Sequence, residues 1–266
     1  MKTNTKHTLL VFLLAGLLII SGTSVSGIVR PIAAHPEKRV FIGDSRTVGM
    51  YDAVYGQYHF DLSARRGNEV WSAWSGKGVK EMPFLVNRAR EKAGGSLKGY
   101  KVYILLGVNN LREKDNPKEV ALDYLYELHH IDWNGAKVYF VSVNPVCENG
   151  IRRGPGTNKK IEEFNRYMKL GSGRHGAERF GAAAARLGEK HLNSERTRRI
   201  FNRFQGYTYI DTASRVPEFK EVVRTGKYTQ DPQEGHTCVY HKGYVQDGLH
   251  YIKPVYEKIY RILLEY

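Results

Sequence analysis

The sequence predicts an α/β protein in which a central parallel sheet lies between two layers of helices. Short apolar runs rich in β-branched and aromatic residues occur at residues 39–42, 101–106 and 137–143, and each is closed by a glycine or an Asn-Pro pair. Segments with helical periodicity separate these runs. Because strands and helices alternate along the chain, the strands are expected to run parallel and to be joined by right-handed crossovers.

The helices are predicted from the spacing of their apolar residues and from local capping signals. A helix should follow the first strand at about residues 46–55. Asn116-Pro117 supplies a cap and a first-turn proline for another helix. Amphipathic patterns predict helices at residues 158–170 and 254–266, and residues 207–210 are typical of one further strand. These elements extend the α/β pattern to the end of the chain.

The first 27 residues have the composition of a secretory signal peptide. Lys2 and Lys6 precede an apolar run at residues 9–20, and small and polar residues follow. The run is shorter than the roughly 20 apolar residues that a membrane-spanning helix needs. We therefore expect a secreted or extracellular protein, or a protein anchored to the membrane if the segment is retained.

Residues 28–37 carry two prolines without a periodic pattern and are predicted to form a linker to one domain, residues 38–266. Within this domain, residues 151–206 contain fourteen Lys and Arg against five Asp and Glu, and a basic insertion is expected at about 171–206. The insertion is either a solvated surface or a site for anionic polymers of the cell envelope. For an exported chain with a formal charge of +14, envelope polymers are expected as partners and nucleic acid is not.

Two cysteines are too few for a disulfide scaffold or a zinc ribbon. Outside the cell, Cys147 and Cys238 can form a disulfide, and two buried thiols are the alternative. We expect a monomer that contains no metal and no cofactor.

Polar residues follow the predicted strands where the strands end. The first strand leads into Gly43-Asp44-Ser45, the second into Gly107-Val108-Asn109, and Asp247-Gly248-Leu249-His250 precedes the last helix. In an open parallel sheet, reactive groups gather at the carboxyl edge of the strands. A serine needs a neighbouring base, which His250 can supply, and Asp247 can orient the imidazole. The Asn109 amide could donate a hydrogen bond to an oxyanion.

Each of these residues also has a simpler explanation. Ser45 can cap the helix that follows it, Asp247 can cap the last helix or begin a turn, and His250 can be a packed core histidine. Gly67 can be a turn glycine, and Asn109 a loop-stabilising amide. The occurrence of all of them at predicted strand ends favours a catalytic site.

Four blocks of the chain resemble, in order and approximate spacing, those of the SGNH (GDSL) hydrolases. They are Phe41-Ile42-Gly43-Asp44-Ser45, Gly67 in Ala64-Arg65-Arg66-Gly67, Gly107-Val108-Asn109 and Asp247-Gly248-Leu249-His250. The resemblance implies a flavodoxin-like α/β/α sandwich and a metal-free serine esterase or acyl-transfer activity. It also implies that Ser45 is the nucleophile, His250 the base and Asp247 its orienting partner. The backbone N–H groups of Ser45 and Gly67 and the Asn109 side chain would hold the oxyanion.

One position departs from the family pattern. The third block of the family usually ends in Gly-x-Asn-Asp, and Asn110 stands here in place of the aspartate. Because that aspartate is mainly structural in the family, the change is expected to weaken local hydrogen bonding rather than catalysis.

The sequence as a whole indicates an exported serine esterase that removes a small acyl group, most simply acetyl, from an ester on a carbohydrate or cell-wall glycan. An O-acetyltransferase that uses the same three residues is one alternative. A non-catalytic protein that binds anionic envelope polymers is another.

Overall fold

The computed structural model describes residues 36–57, 59–111, 116–148, 156–173, 206–225, 238–239 and 249–266. All of these residues fall in the unit His35–Tyr266. The predicted leader, most of the linker, most of the basic insertion and Asp247 lie outside the described residues. Within the parts of the chain that are described, no helix combines the length and the apolar character needed to cross a bilayer.

Strands and helices alternate along the chain, and every predicted element is present with its ends within two residues of those expected. The strands are β1 (Arg39–Gly43), β2 (Asp61–Arg66), β3 (Glu69–Trp74), β4 (Lys101–Leu105), β5 (Lys137–Val141), β6 (Thr208–Ile210), β7 (Cys238–Val239) and β8 (His250–Tyr251). The helices are α1 (Ser45–Tyr55), α2 (Met82–Lys92), α3 (Pro117–His130), α4 (Thr157–Leu170), α5 (Thr212–Arg215), α6 (Glu218–Thr225) and α7 (Lys253–Leu264). A short 3-10 turn, Val79–Glu81, precedes α2.

The main sheet has the strand order β2-β3-β1-β4-β5-β6. The strands from β3 to β6 in this order are parallel, and β2 is an antiparallel edge strand. Numbered among themselves, the parallel strands have the order 2-1-3-4-5 of flavodoxin-like folds. The predicted fold class is therefore confirmed. The hairpin of β2 and β3 was not predicted, because β2 is partly exposed and has no continuous apolar run.

Helices cover both faces of this sheet. On β1, Val40 and Ile42 belong to the core under α2, α3 and α4, whereas Phe41 belongs to the core under α1 and α7. All five residues of the strand are buried. The apolar run at residues 39–42 thus marked a strand that is covered on both faces.

A row of aromatic rings crosses the face that α1 and α7 cover. The register places Phe41 beside Trp71 and Tyr103, and the ring centroids lie 4.1 and 5.2 Å from that of Phe41. Tyr139 continues the row on β5, with its centroid 5.1 Å from that of Tyr103. Because each large ring stacks on the next, the row joins the central strands of the sheet through their side chains.

A buried carboxylate, Glu69, lies at one end of this aromatic face. Its Oε2 accepts hydrogen bonds from Tyr55 Oη at 2.7 Å and Trp71 Nε1 at 3.1 Å, and its Oε1 accepts from Tyr260 Oη at 2.5 Å. Burial, and after it the negative charge of Glu69, raises the pKa of Tyr55 and of Tyr260. Both phenols therefore stay protonated and donate at neutral pH.

Replacement of this carboxylate should destabilise the fold. Glu69→Ala leaves the buried donors Trp71 and Tyr260 and the partly buried Tyr55 without their acceptor, so the free energy of unfolding should fall by about 3 kcal/mol. Chemical denaturation measured by tryptophan fluorescence tests this. Glu265→Ala is the control, because Glu265 and its ion-pair partner Arg215 are 57% and 36% exposed and their pair should contribute at most about 1 kcal/mol. Equal losses in the two variants would contradict the role of Glu69.

Candidate active site

Ser45 lies directly after the carboxyl end of β1 and is the first residue of α1. It is partly exposed, whereas Asp44 and Arg46 on either side of it are buried. The first N–H groups of a helix have no intrahelical partner. The Ser45 hydroxyl and the Ser45 N–H thus both belong to a turn at the carboxyl edge of the sheet.

The cap of α1 is Asp44. Its Oδ1 accepts a hydrogen bond from Arg46 N at 2.9 Å, and its carbonyl oxygen accepts from Thr47 N and Val48 N. The alternative explanation of Ser45 as the helix cap is therefore wrong, because the preceding residue fills that position.

Gly43 lets β1 and α1 approach each other closely. A Cβ atom at this position would lie 1.8 Å from Thr47 Oγ1 and 3.0 Å from Leu105 O. Any larger residue would push the first turn of α1 away from the sheet. The absence of a side chain at Gly43 thus determines where Ser45 lies relative to the end of β1.

Asn109 lies in the loop after β4, which is the strand next to β1. Its Nδ2 donates a hydrogen bond to Lys77 O at 2.8 Å and lies 3.5 Å from Asp44 Oδ2. The structure therefore brings Asn109 to the Ser45 turn, as predicted for the carboxyl edge. In flavodoxin-like folds, the gap between these two strands is the switch point at which ligands bind.

Asn110 takes part in the same cluster of loops. Its Oδ1 accepts a hydrogen bond from Val79 N at 3.0 Å. An amide oxygen accepts this bond as a carboxylate oxygen would. The contact therefore keeps an acceptor at the position of the family aspartate, and the expected weakening stays a prediction.

Gly67 lies at the amino ends of the parallel strands, opposite to the carboxyl edge at which Ser45 lies. It is the first residue of the two-residue turn between β2 and β3, with a φ of 57°. The next residue, Asn68, accepts a hydrogen bond through its carbonyl oxygen from Arg39 N, at the amino end of β1. Four residues of strand, roughly 13 Å, separate this end from Gly43. The prediction that Gly67 joins Ser45 in an oxyanion hole is therefore wrong, and the turn explanation holds.

The part of this hairpin that reaches the Ser45 edge is the loop after β3, residues 75–78. Lys77 accepts the hydrogen bond from Asn109, and Gly78 N donates to Glu81 Oε2 at 3.0 Å. Sequence reasoning missed this loop because it assigned the second block to Gly67. The sequence does contain a signal for this loop, because Gly67-Asn68 is typical of a short hairpin connection. A hairpin there predicts that Ser75-Gly76-Lys77-Gly78 lies at the carboxyl edge.

His250 is 7% exposed and lies in β8, where it pairs with Val239 of β7. The carbonyl oxygen of Leu249 accepts a hydrogen bond from Arg46 Nε at 3.0 Å, although the two residues are 203 positions apart in the chain. Arg46, which follows Ser45, is therefore hydrogen-bonded directly to Leu249, which precedes His250. Asp247 lies outside the described residues.

The buried Arg46 was not among the predicted site residues. Besides Leu249 O, its guanidinium donates to Asn144 O at 2.6 Å and to Pro145 O at 2.9 Å, and it lies 4.7 Å from the centroid of the Tyr251 ring. The Tyr251 hydroxyl also donates to Pro145 O. Burial raises the pKa of Tyr251, so this phenol remains a donor.

A small cavity of about 20 Å³, large enough for about one water molecule, opens beside this arginine. Its lining combines apolar strand ends with polar groups: Asp44, Arg46, Leu105, Leu106, Val108, Val141, Ser142, Val143 and Asn144. The cavity therefore lies at the same carboxyl edge as the Ser45 turn.

Cys147 follows the carbonyl groups that Arg46 binds, and it is buried and disulfide-bonded. The chain has one other cysteine, Cys238, in β7. The backbone of β7 pairs with β8, which carries His250. In the described part of the chain, no group of three or more His, Cys, Asp or Glu side chains is arranged to hold a metal ion.

Comparisons with known proteins found likenesses only among solved structures, since no family model and no curated protein matches the chain. A GDSL-like lipase from Bacteroides thetaiotaomicron VPI-5482 has a TM-score of 0.48 and 14% identity, and the match covers 86% of each chain. A candidate acylhydrolase from Bacteroides fragilis NCTC 9343 has a TM-score of 0.49 and 12% identity, covering 87% of this chain and 86% of that one. A candidate platelet activating factor from Streptococcus pneumoniae has a TM-score of 0.47 and 15% identity, covering 99% of both.

The hydrogen bond of Asn110 leads to a prediction about stability. Asn110→Asp keeps an oxygen acceptor for Val79 N, so its free energy of unfolding should stay within about 0.5 kcal/mol of the wild-type value. Asn110→Ala removes the acceptor and should cost about 1–2 kcal/mol. Thermal and chemical denaturation of both variants would decide. A loss in Asn110→Asp as large as that in Asn110→Ala would contradict the assignment of Oδ1 as the important atom.

Proposed function

We propose that this protein is a serine esterase whose active site lies at the carboxyl edge of the sheet. The observation that supports this best is the hydrogen bond from Arg46 to Leu249, because it joins the turn of Ser45 to the strand of His250 across almost the whole chain. A partly exposed serine at a helix start and a buried histidine then lie at one edge. This is the combination that nucleophilic acyl transfer requires.

In the proposed mechanism, Ser45 Oγ attacks the ester carbonyl carbon while His250 takes the hydroxyl proton. The resulting tetrahedral intermediate carries its negative charge on the former carbonyl oxygen. As this intermediate collapses, His250 returns the proton to the leaving alcohol, and an acyl-Ser45 ester remains. Water, deprotonated by His250, then attacks this ester and releases the acid and the serine. Asp247 is assigned the role of orienting the imidazole and stabilising its charged form.

The oxyanion would be held by donors from the loops around Ser45. The N–H of Ser45 is one, because it starts a helix. The Asn109 amide is the second: its 3.5 Å contact with Asp44 Oδ2 is at the limit of a hydrogen bond, and a substrate oxygen can take that place. The third proposed donor is the Gly76 N–H, which belongs to the loop at residues 75–78. It replaces Gly67, which the sequence analysis had assigned to the oxyanion hole.

The substrate class follows from compartment and charge. We assign to the site a small acyl group, acetyl in the simplest case, on a carbohydrate or cell-wall glycan. The apolar N-terminal segment supports export, and the formal charge of +14 favours encounters with anionic envelope polymers. The basic insertion at about 171–206 would contribute to this attraction.

Loss of the Ser45 hydroxyl should abolish activity. The wild-type protein should hydrolyse p-nitrophenyl acetate, release acetate from an acetylated glycan and react covalently with a fluorophosphonate at Ser45. Ser45→Ala should lower kcat by at least about a thousandfold and remove the labelling, because the nucleophile is gone. Ser63→Ala, on the edge strand β2, is the matched control and should keep full activity.

The outcomes separate the two levels of this proposal. A wild-type protein that gives neither turnover nor labelling would show that the esterase assignment is wrong. Turnover of p-nitrophenyl acetate without acetate release from the glycan would leave the esterase in place and reject the substrate.

The corrected oxyanion site makes a second kinetic prediction. Asn109→Ala should lower kcat by about a hundredfold to a thousandfold, because one donor to the developing charge is lost. Gly67→Asn should keep kcat within about twofold, since this turn lies at the far edge and asparagine tolerates its positive φ. Steady-state kinetics with p-nitrophenyl acetate on folded variants measures both. A larger kcat loss in the Gly67 variant than in the Asn109 variant would reverse the assignment.

A further inference from the structure

Arg46 places a buried positive charge between the segments that carry the proposed nucleophile and the proposed base. To the residues that the structure describes, its side chain makes three hydrogen bonds, one from each guanidinium nitrogen, and all three acceptors are main-chain carbonyl oxygens. One face of the guanidinium lies against the ring of Tyr251. Planar geometry allows arginine to satisfy several acceptors at fixed angles, which an ammonium group does not.

A buried cation at this position costs free energy of folding. A buried charge loses its hydration, and neutral carbonyl groups compensate for that loss only in part. Within the residues that the structure describes, the Arg46 guanidinium forms no ion pair with a carboxylate. An apolar residue that fills the same volume would avoid this cost. In return, the guanidinium donates to three main-chain carbonyl groups, which an apolar residue would leave without this donor, and it links the segments that carry them.

The three carbonyl groups belong to two segments that end at the candidate site. Asn144 and Pro145 follow β5, and Leu249 immediately precedes His250. Arg46 itself follows Ser45 on the first turn of α1. One side chain thus sets the distance from the Ser45 turn to the backbone of the histidine, and Tyr251 adds a second bond to Pro145 O.

We propose that Arg46 is a positioning residue of the esterase site: it holds the backbone at Leu249 so that the His250 imidazole stays within reach of the Ser45 hydroxyl. This inference rests on the proposed function. Proton transfer depends steeply on geometry, and a displacement of about 1 Å can cost on the order of a hundredfold in rate. In this role the arginine acts through the histidine and not on the substrate.

Two substitutions test this role. Arg46→Lys keeps the charge but lacks the planar fork, and Arg46→Gln removes the charge and shortens the reach. With p-nitrophenyl acetate, we expect kcat to fall about tenfold in Arg46→Lys and about a hundredfold in Arg46→Gln, with KM within about threefold. The rate of fluorophosphonate labelling at Ser45 should fall in the same proportion as kcat, since it needs the same proton transfer.

Arg88→Lys is the matched control. Arg88 also donates to main-chain carbonyl groups, those of Leu62 and Ala73. It donates to Ser72 Oγ and to the Asp61 carboxylate as well, and its side chain is 13% exposed. Its replacement should lower the melting temperature and leave kcat unchanged. All rates are measured well below the unfolding transition, with folding checked by circular dichroism.

Each outcome has a definite meaning. Unchanged kcat in folded Arg46→Lys and Arg46→Gln would overturn the proposal, and so would kcat losses no larger than that of Arg88→Lys. If neither Arg46 variant folds, the residue serves stability and the positioning role is rejected. A wild-type protein without turnover or labelling refutes the esterase itself, a result seen before any Arg46 variant is assayed.

Discussion

The guanidinium of Arg46 connects parts of the chain that no local interaction could bring together. It joins the start of α1 to the segment after β5 and to the residue before His250. Asn144 and Pro145 follow the carboxyl end of β5 and Leu249 directly precedes β8 of the small two-stranded sheet, so the main-chain carbonyl groups of all three lie outside the strands. By accepting the cost of burying one cation, the fold satisfies three of these groups with a single rigid side chain. The arrangement of the candidate site depends on this contact.

The elements around Arg46 are equally constrained by close packing. Gly43 has no room for a Cβ atom, so α1 must start immediately beyond β1, and Asp44 caps it with a buried carboxylate. In the loop after the neighbouring strand β4, Asn109 binds the loop that follows β3. The serine turn is therefore held by the close approach of α1 to β1, by the Asp44 cap and by the Asn109 amide beside Asp44. Rigid support of this kind is what a nucleophile and its oxyanion donors need in order to react without reorganisation.

Sequence reasoning succeeded where a local pattern carries the information. The first strand is apolar from Val40 to Ile42 because both of its faces are covered. Asn116-Pro117 predicts the start of the helix at residues 117–130. It failed at Gly67, where a glycine near the expected spacing was assigned to the wrong edge of the sheet. The error arose because β2 and β3 form an antiparallel hairpin with no helix between them. The chain therefore turns at the amino ends of the parallel strands, which a simple alternation of strands and helices does not predict. A glycine does not reveal at which edge its turn lies.

By itself, the sequence determined the α/β class, the order of the predicted elements and the polar residues that follow the strands, because periodicity and turn chemistry act over a few residues. Only the tertiary structure decided which of those residues meet. In the tertiary structure, Gly67 lies far from Ser45, and the loop at residues 75–78 contacts Asn109 instead. Arg46 forms the link to Leu249. The physical reason is that the register of the sheet and the partners of a buried cation depend on segments far apart in the chain, whose pairing no local pattern encodes.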